Sequence, residues 1–182
     1  MTDTIKTDNS YLRDKVELRI RHLPDGEVRV LDCYAGQGLI WAAVKELTGR
    51  DIKVLPVDHR ADKNDFHLHG DNLEYLETLD LSKYNVIDLD AYGIPFEQID
   101  CLARRKYSGV VFVTAIQTVM GQMPHGLLKR LGFTAEQLAK APTLFGKRGW
   151  EYLLQYLASI GVKKISHRSH QRKHYLAMAL AG

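Results

Sequence analysis

The chain has 182 residues and a mass of 20.7 kDa, with 45% hydrophobic and 26% charged residues. This composition is ordinary for a globular protein and excludes a collagen, a mucin-like stalk, a disordered tail and a disulfide miniprotein. The length predicts one domain over residues 1–182, and the net charge of +3 is unevenly distributed along it.

Segments with the patterns of strands and helices alternate along the chain. In order, we predict a loose tail over 1–10, a helix over 11–23, a strand ending at Asp32, a helix over 39–47, a strand ending at Asp58, a short strand around 66–68, a helix after Asp71, a strand ending at Asp90, a helix over 95–106, a strand over 109–116, a helical insert over 117–145, a helix over 149–160, and two strands flanking a turn at 171–173. This order predicts an α/β fold with a doubly wound, Rossmann-like sheet that is mostly parallel and closes with a C-terminal antiparallel hairpin.

Acidic residues stand at the ends of successive predicted strands. They are Asp32, Asp58, Asp71, Asp88 and Asp90. Because parallel strands end at one edge of a sheet, we expect these carboxylates to converge there. Small residues after the first strand would let a ligand approach the backbone closely. An acid at the end of the second strand can bind both hydroxyls of a ribose. The alternative for each acid is a helix cap.

The segment VLDCYAGQG, which ends the first strand, resembles the first motif of class I S-adenosylmethionine-dependent methyltransferases. Its D-x-x-A-G-x-G form is similar to that of many nucleic-acid methyltransferases. The resemblance implies S-adenosyl-L-methionine as cofactor. It implies contacts to the methionine part from Asp32, Tyr34, Ala35, Gly36 and Gly38, to the ribose from Asp58, and to the adenine from Asp71 and Asn72. Asp88, at the end of the fourth strand, completes the predicted cofactor-binding set.

Two later segments, IDLDAYGIP and VVFVTAIQTVMGQ, resemble the tRNA guanine-N2 methyltransferases. That family carries D-P-F-G where this chain has Asp90, Ala91, Tyr92 and Gly93, so Ala91 replaces the proline. Its V-T-A-T-D segment is matched at Thr114 and Ala115 and not at the next two positions. The resemblance implies an RNA substrate, and Asp90, Ala91 and Tyr92 as catalytic residues. The family's large C-terminal RNA-binding domain has no counterpart here, which leaves room for a partner subunit or a homo-oligomer.

The predicted catalytic residues suit methyl transfer to a base nitrogen. An exocyclic amine is a poor nucleophile, and acceptors for its two hydrogens would aim its lone pair at the methyl group. Asp90 and the carbonyl of Ala91 are the candidate acceptors, and Asp90 can also take the leaving proton. Tyr92 can stack on a flipped or single-stranded base. The alternatives are a helix cap at Asp90 and a packed rim aromatic at Tyr92.

The C-terminal part of the chain is strongly basic. Residues 71–100 carry a net charge of −7, whereas residues 101–182 carry +11. The segment 163–174, KKISHRSHQRKH, predicts contacts to nucleic-acid phosphates, or else a solvated edge hairpin. Zinc binding by His167, His170 and His174 is disfavoured because no cysteine or carboxylate joins them, so no metal site is predicted.

Cysteine usage and hydropathy point to the cytoplasm. Cys33 and Cys101 make no disulfide framework and are interpreted as buried thiols. Neither is placed to be the nucleophile of cytosine C5 methylation. The chain has no apolar run of about 18 residues, and its polar start lacks the apolar core of a signal peptide. We therefore expect a cytoplasmic protein with no membrane partner.

Three other functions compete with nucleic-acid methylation. The first is a methyltransferase for a small molecule or a protein. The second is a nicotinamide-dependent dehydrogenase. The spacing from Gly38 to Asp58 suits that class, but Trp41 stands where the G-x-G-x-x-G motif of that class has its third glycine. The third is a methyltransferase-like scaffold that binds a cofactor or partner without transfer.

Overall fold

The computed structural model describes residues 11–59, 68–116, 123–140 and 148–181. Its helices are α1 (Leu12–Arg21), α2 (Leu39–Thr48), α3 (Asn72–Thr78), α4 (Phe96–Arg104), α5 (His125–Arg130), α6 (Ala135–Lys140) and α7 (Gly149–Ser159), with a 3-10 turn at Leu81–Lys83. Its strands are β1 (Val28–Asp32), β2 (Ile52–Asp58), β3 (Leu68–His69), β4 (Val86–Asp90), β5 (Gly109–Ile116), β6 (Ile165–His170) and β7 (Lys173–Leu180).

These strands form one sheet in the order β3-β2-β1-β4-β5-β7-β6. All neighbouring pairs are parallel except the pairs that β7 makes with β5 and β6, which are antiparallel. The predicted α/β sheet with its closing hairpin is therefore confirmed. The chain moves outward from β1 to β3 and then returns to β4 on the other side of β1. The carboxyl ends of β1 and β4 consequently form the switch point at which such sheets bind ligands.

Both faces of the sheet are covered by helices. Alternate residues of the central strands, such as Val30, Val86 and Phe112, pack against α1 and α2, and we call this side the α1 face. The intervening residues, such as Leu31 and Val113, pack against α3, α4, α5, α6 and α7 on the side that we call the α7 face. Burial on both faces explains why the central strands are continuous apolar runs. No helix within the described ranges is long and apolar enough to cross a membrane.

Local signals in the sequence set several boundaries correctly. The spacing of Thr134 and Gln137 is typical of a capping box, and α6 has one: Thr134 N–H donates to Gln137 Oε1 at 2.8 Å and Gln137 N–H donates to Thr134 Oγ1 at 3.2 Å. The predicted three-residue turn is shorter than expected, since Lys173 already pairs with His170 and begins β7. Several predicted segments lie outside the described residues. They are the tail over 1–10, Phe66 of the predicted third strand, and residues 117–122 and 141–147, which belong to the insert or directly follow it.

Candidate functional site

The loop between β1 and α2 is drawn onto the end of β2. Gly36 and Gly38 adopt φ angles of +53° and +70°, in the left-handed region that favours glycine. The Gly36 N–H donates to Asp58 Oδ2 at 2.8 Å, and the Ala35 N–H donates to the Val57 carbonyl at 3.1 Å. A Cβ atom added at Gly38 would have no heavy atom within 4 Å, so the backbone is open on that side. A ligand can therefore approach this loop closely.

The residues predicted to contact an adenine lie beside the same loop. Asp71 caps α3 by accepting the N–H of Leu73 at 2.8 Å. Asn72 donates from Nδ2 to the Cys33 carbonyl at 3.0 Å, and its Oδ1 accepts from Gln98 at 2.8 Å. The structure thus places Asn72 as a link between β1, α3 and α4, and leaves Asp71 on the exposed side of the edge.

A buried charge network lies on the α1 face beneath the carboxyl ends of β1 and β4. Arg19 is only 1% exposed, and its Nε and Nη2 donate to the two carboxylate oxygens of Asp88 at 2.7 and 2.6 Å. Trp41 Nε1 also donates to Asp88 at 2.8 Å. Both oxygens of Asp88 are thus engaged by protein donors. This predicted cofactor residue lies below the edge, where it joins α1 and α2 to the sheet.

Asp32 is next to Asp88 in the register and is 5% exposed. In the part of the chain that the structure describes, it accepts one hydrogen bond, from the Tyr34 N–H at 3.4 Å, and no cation forms an ion pair with it. Burial raises the pKa of Asp32 well above its usual range, and the charge of Asp88 adds to this effect. A buried carboxyl whose nearby cation, Arg19, is bonded to Asp88 instead is costly in the protein alone and is suited to a cationic ligand.

We expect Asp32→Asn to stabilise the protein by about 1–3 kcal/mol at pH 7, since a neutral amide avoids the cost of a buried charge. Because the folded-state pKa is raised, the carboxyl contributes its stability fully below about pH 4 and loses it as the pH rises through the folded pKa. The gain from the substitution should therefore vanish below about pH 4 and grow as the pH rises.

Urea unfolding of the two proteins across that pH range measures this difference. Asp25→Asn, at an exposed turn, serves as the control and should change the unfolding free energy by no more than about 0.5 kcal/mol. An Asp32→Asn protein less stable than the parent at pH 7 would contradict the expectation.

Asp90 ends β4 two residues beyond Asp88 and is bound from two sides. Lys15 Nζ donates to its Oδ2 at 2.8 Å, and the hydroxyl of Thr114, its register partner on β5, donates to its Oδ1. The side chains of Lys15 and Asp90 are 10% and 14% exposed. This carboxylate is thus held in one orientation at the rim of the edge.

The sequence analysis did not identify the cations of α1. Lys15 and Arg19 are four residues apart, so they lie on one face of the helix, where Val16 and Leu18 are also buried. The signal was present in the predicted convergence of several acids on one edge, because buried carboxylates require balancing charges.

A cavity of about 300 Å³ opens at the residues that follow Asp90. It is lined by the predicted catalytic residues Ala91 and Tyr92, by Tyr34, by the apolar side chains of Ile94, Pro95, Phe96 and Pro124, and by Glu97 and Gln98. Tyr92 is 80% exposed at its mouth. Burial raises the pKa of Tyr34 to about 12, so its phenol stays neutral near pH 7. Most residues that line the cavity are apolar, but the surface that the cavity exposes is more polar than apolar.

The basic hairpin divides its charges between the two faces of the sheet. Arg168 and His170 point to the α1 face, where Arg168 pairs with Asp14 and Glu17 at 2.6 and 3.0 Å, and His170 contacts Asp14 at 2.8 Å. His167 and His174 lie together on the α7 face. Among the residues with described positions, no three His, Cys, Asp or Glu side chains are grouped to hold a metal ion. The cations of the hairpin that stay exposed without an ion pair in those ranges are Lys163, Lys164 and Arg172.

Known proteins resemble this chain in structure. No family model matches the sequence, and no curated protein matches it. Precorrin-6y C5,15-methyltransferase from Geobacter metallireducens is 14% identical, with a TM-score of 0.53 over 100% of this chain and 93% of that one. The ribosomal protein L11 methylase from Lactobacillus delbrueckii subsp. bulgaricus is 16% identical, with a TM-score of 0.56 over 97% and 81%. A SAM-dependent methyltransferase from Aquifex aeolicus is 13% identical, with a TM-score of 0.52 over 97% and 100%. The strand order and these neighbours show that the chain has the fold of the class I S-adenosylmethionine-dependent methyltransferases.

Proposed function

We propose that the protein is an S-adenosylmethionine-dependent methyltransferase that modifies a base nitrogen of RNA or another nucleic acid. The observation that carries this proposal is the meeting of three features at the carboxyl ends of β1, β2 and β4. These are the open glycine loop, the Asp58 carboxylate bonded to that loop, and Asp90, which is followed by the cavity-lining residues Ala91 and Tyr92. The fold and the predicted motifs agree with it.

The residues at the edge fit the proposed cofactor. The buried carboxyl of Asp32 has no ion pair in the described ranges, and the cofactor carries cationic groups. The backbone at Gly36 and Gly38 is open to a ligand, and Asp58 stands beside it, where an acid can bind ribose hydroxyls. When bound, S-adenosylmethionine supplies an electrophilic methyl group on a sulfonium.

The acceptor side is built around Asp90. Lys15 and Thr114 hold its carboxylate on two sides, and each oxygen keeps a further lone pair for a substrate N–H. Asp90 would orient an amine by accepting its hydrogen and would take the leaving proton. Tyr92, exposed at the mouth of the cavity, can stack on the base that carries this amine.

A small-molecule acceptor is the second candidate, because a cavity of this size, lined by both aromatic and polar residues, suits a compact organic molecule. The exposed Lys163, Lys164 and Arg172 favour the nucleic acid instead. The experiment that decides is transfer of a labelled methyl group from S-adenosylmethionine onto RNA, DNA, protein and small-molecule fractions of the source cell. Label in RNA that falls as salt rises supports the proposal, whereas label in the small-molecule fraction alone supports the second candidate.

We expect Asp58→Ala to weaken binding of S-adenosylmethionine about 30-fold, or roughly 2 kcal/mol, since it removes the ribose acceptor and the bond to the Gly36 N–H. Calorimetric titration measures the dissociation constant. Asp58→Asn is the matched variant, because its amide oxygen can still accept the Gly36 N–H, and it should bind more tightly than Asp58→Ala. Equal affinity of the Ala variant and the parent would remove Asp58 from the cofactor site.

A further inference from the structure

Three aromatic rings stack on the α7 face of the hairpin, and we call them the Trp–His stack. The indole of Trp150, in the first turn of α7, lies 4.2 Å from the ring of His174 with an interplanar angle of 6°. The same indole lies 4.3 Å from the ring of His167 at 23°. His167 Nε2 and His174 Nδ1 are 3.1 Å apart, so the two imidazoles lie side by side against one indole.

The Trp–His stack is close to the proposed acceptor site. His174 is in register with Ala115 of β5, and β5 pairs with β4, whose following residues Ala91 and Tyr92 line the cavity. Two strand spacings therefore separate His174 from β4, or about 10 Å. Phe96, a wall of the cavity, packs edge-on against Tyr156 of α7 with ring centroids 5.0 Å apart, so the cavity and the stack share one face of the sheet.

The chemistry of the stack suits a base better than a phosphate. Burial, together with the neighbouring His167, lowers the pKa of His174 to about 4, so this ring is neutral near pH 7. A neutral aromatic surface offers a π face to any base, irrespective of sequence. The adjacent turn carries Arg172, which is exposed and forms no ion pair in the described ranges, and which can contact the phosphate next to a stacked base.

We infer that the Trp–His stack binds a base of single-stranded nucleic acid next to the nucleotide that enters the acceptor cavity. This inference rests on the proposed function and adds a second base-binding position to it. Tyr92 would hold the target base and Trp150 its neighbour, so that the strand crosses the carboxyl ends of β4 and β5.

Tryptophan fluorescence of the full chain tests this. Trp41 is 2% exposed and bonded to Asp88, so quenching by an added oligomer reports on Trp150, the other tryptophan of the chain. The probes are oligouridylate, oligodeoxythymidylate and an abasic deoxy-oligomer of equal length, added without S-adenosylmethionine. Quenching by the first two and not by the abasic oligomer is expected. Equal quenching by all three oligomers, or quenching by none of them, would overturn the inference. This result needs no variant protein.

Variants then assign the position. Trp150→Leu should raise the dissociation constant for a labelled base-containing oligomer about tenfold, measured by anisotropy, and leave that for the abasic oligomer unchanged. Trp150→Phe should retain most of the affinity. Tyr11→Leu is the matched control, because Tyr11 stacks on His170 of the same hairpin on the opposite face of the sheet, with ring centroids 4.0 Å apart and an interplanar angle of 8°. The Tyr11→Leu variant should bind the oligomers as the parent protein does.

The test separates this inference from the proposed function. Base-dependent binding through Trp150 in a protein that transfers no methyl group would overturn the proposed function and leave the stacking site standing. Methyl transfer to RNA, with parental affinity in Trp150→Leu, would overturn the stacking site alone.

Discussion

Replacement of Arg19 by methionine is expected to lower the free energy of unfolding by about 3–5 kcal/mol. Arg19 donates to both carboxylate oxygens of Asp88, and both side chains are almost completely buried. Methionine fills similar space but leaves Asp88 as a buried anion whose remaining side-chain donor is Trp41 among the described residues. Such a loss is a large part of the stability of a domain of this size. Urea denaturation at pH 7 measures it.

The same helix provides the control. Arg13 pairs with Glu17 on the surface and is 90% exposed, so Arg13→Met should leave the free energy of unfolding close to the parental value. In the double variant Arg19→Met/Asp88→Asn the buried anion is gone, while the Asn oxygen can still accept from Trp41. This variant should recover much of the loss, because most of the cost lies in the uncompensated charge. An Arg19→Met protein within about 1 kcal/mol of the parent would show that the pair does not secure α1.

Replacement of Asp90 by alanine or asparagine is expected to reduce methyl transfer about 100- to 10,000-fold and to leave the dissociation constant of S-adenosylmethionine nearly unchanged. Both changes remove the carboxylate that would orient the amine and accept its proton. The asparagine variant is the sharper one, since its amide keeps the shape and can still accept from Thr114 or Lys15. Labelled methyl transfer onto the identified acceptor and calorimetry with the cofactor are the two measurements.

Asp100 is the matched control for this loss. It lies on α4, pairs with Arg104 and Arg130, and its side chain is 16% exposed, close to the 14% of Asp90. Asp100→Asn should therefore transfer methyl groups at close to the parental rate. Parental turnover by Asp90→Asn would remove Asp90 from the chemistry, and loss of cofactor binding in both Asp90 variants would place it in the cofactor site instead.

The sheet was predictable because its signals are local. The apolar runs over Ile52–Asp58 and Gly109–Ile116 are strands with the predicted bounds, and each lies between two other strands of a sheet covered on both faces. The convergence of acids on one edge follows from the same order of elements. The sequence does not predict that Asp88 lies below the edge while Asp90 lies at its rim. Both side chains extend from one strand, two residues apart, to the same face.

The Trp–His stack and the divided basic hairpin were also beyond sequence reasoning. The sequence predicted only a helix over 149–160 around Trp150, and the ring partners of Trp150 belong to two strands that follow it in the chain. The segment 163–174 predicted contacts to phosphates, or else a solvated edge hairpin. Packing of α1 against the hairpin instead pairs Arg168 with Asp14 and Glu17, which are more than 150 residues away in the chain.

Hydrophobic periodicity and turn residues, which act between neighbours in the chain, were enough to determine the α/β order, the parallel sheet and the edge at which Asp32, Asp58 and Asp90 lie. The tertiary structure alone decided which carboxylates are paired with cations. Lys15 and Arg19 reach Asp90 and Asp88 across separations of 75 and 69 residues. Ion pairs of that kind depend on how a helix packs across the sheet, and no local pattern in the chain encodes that packing.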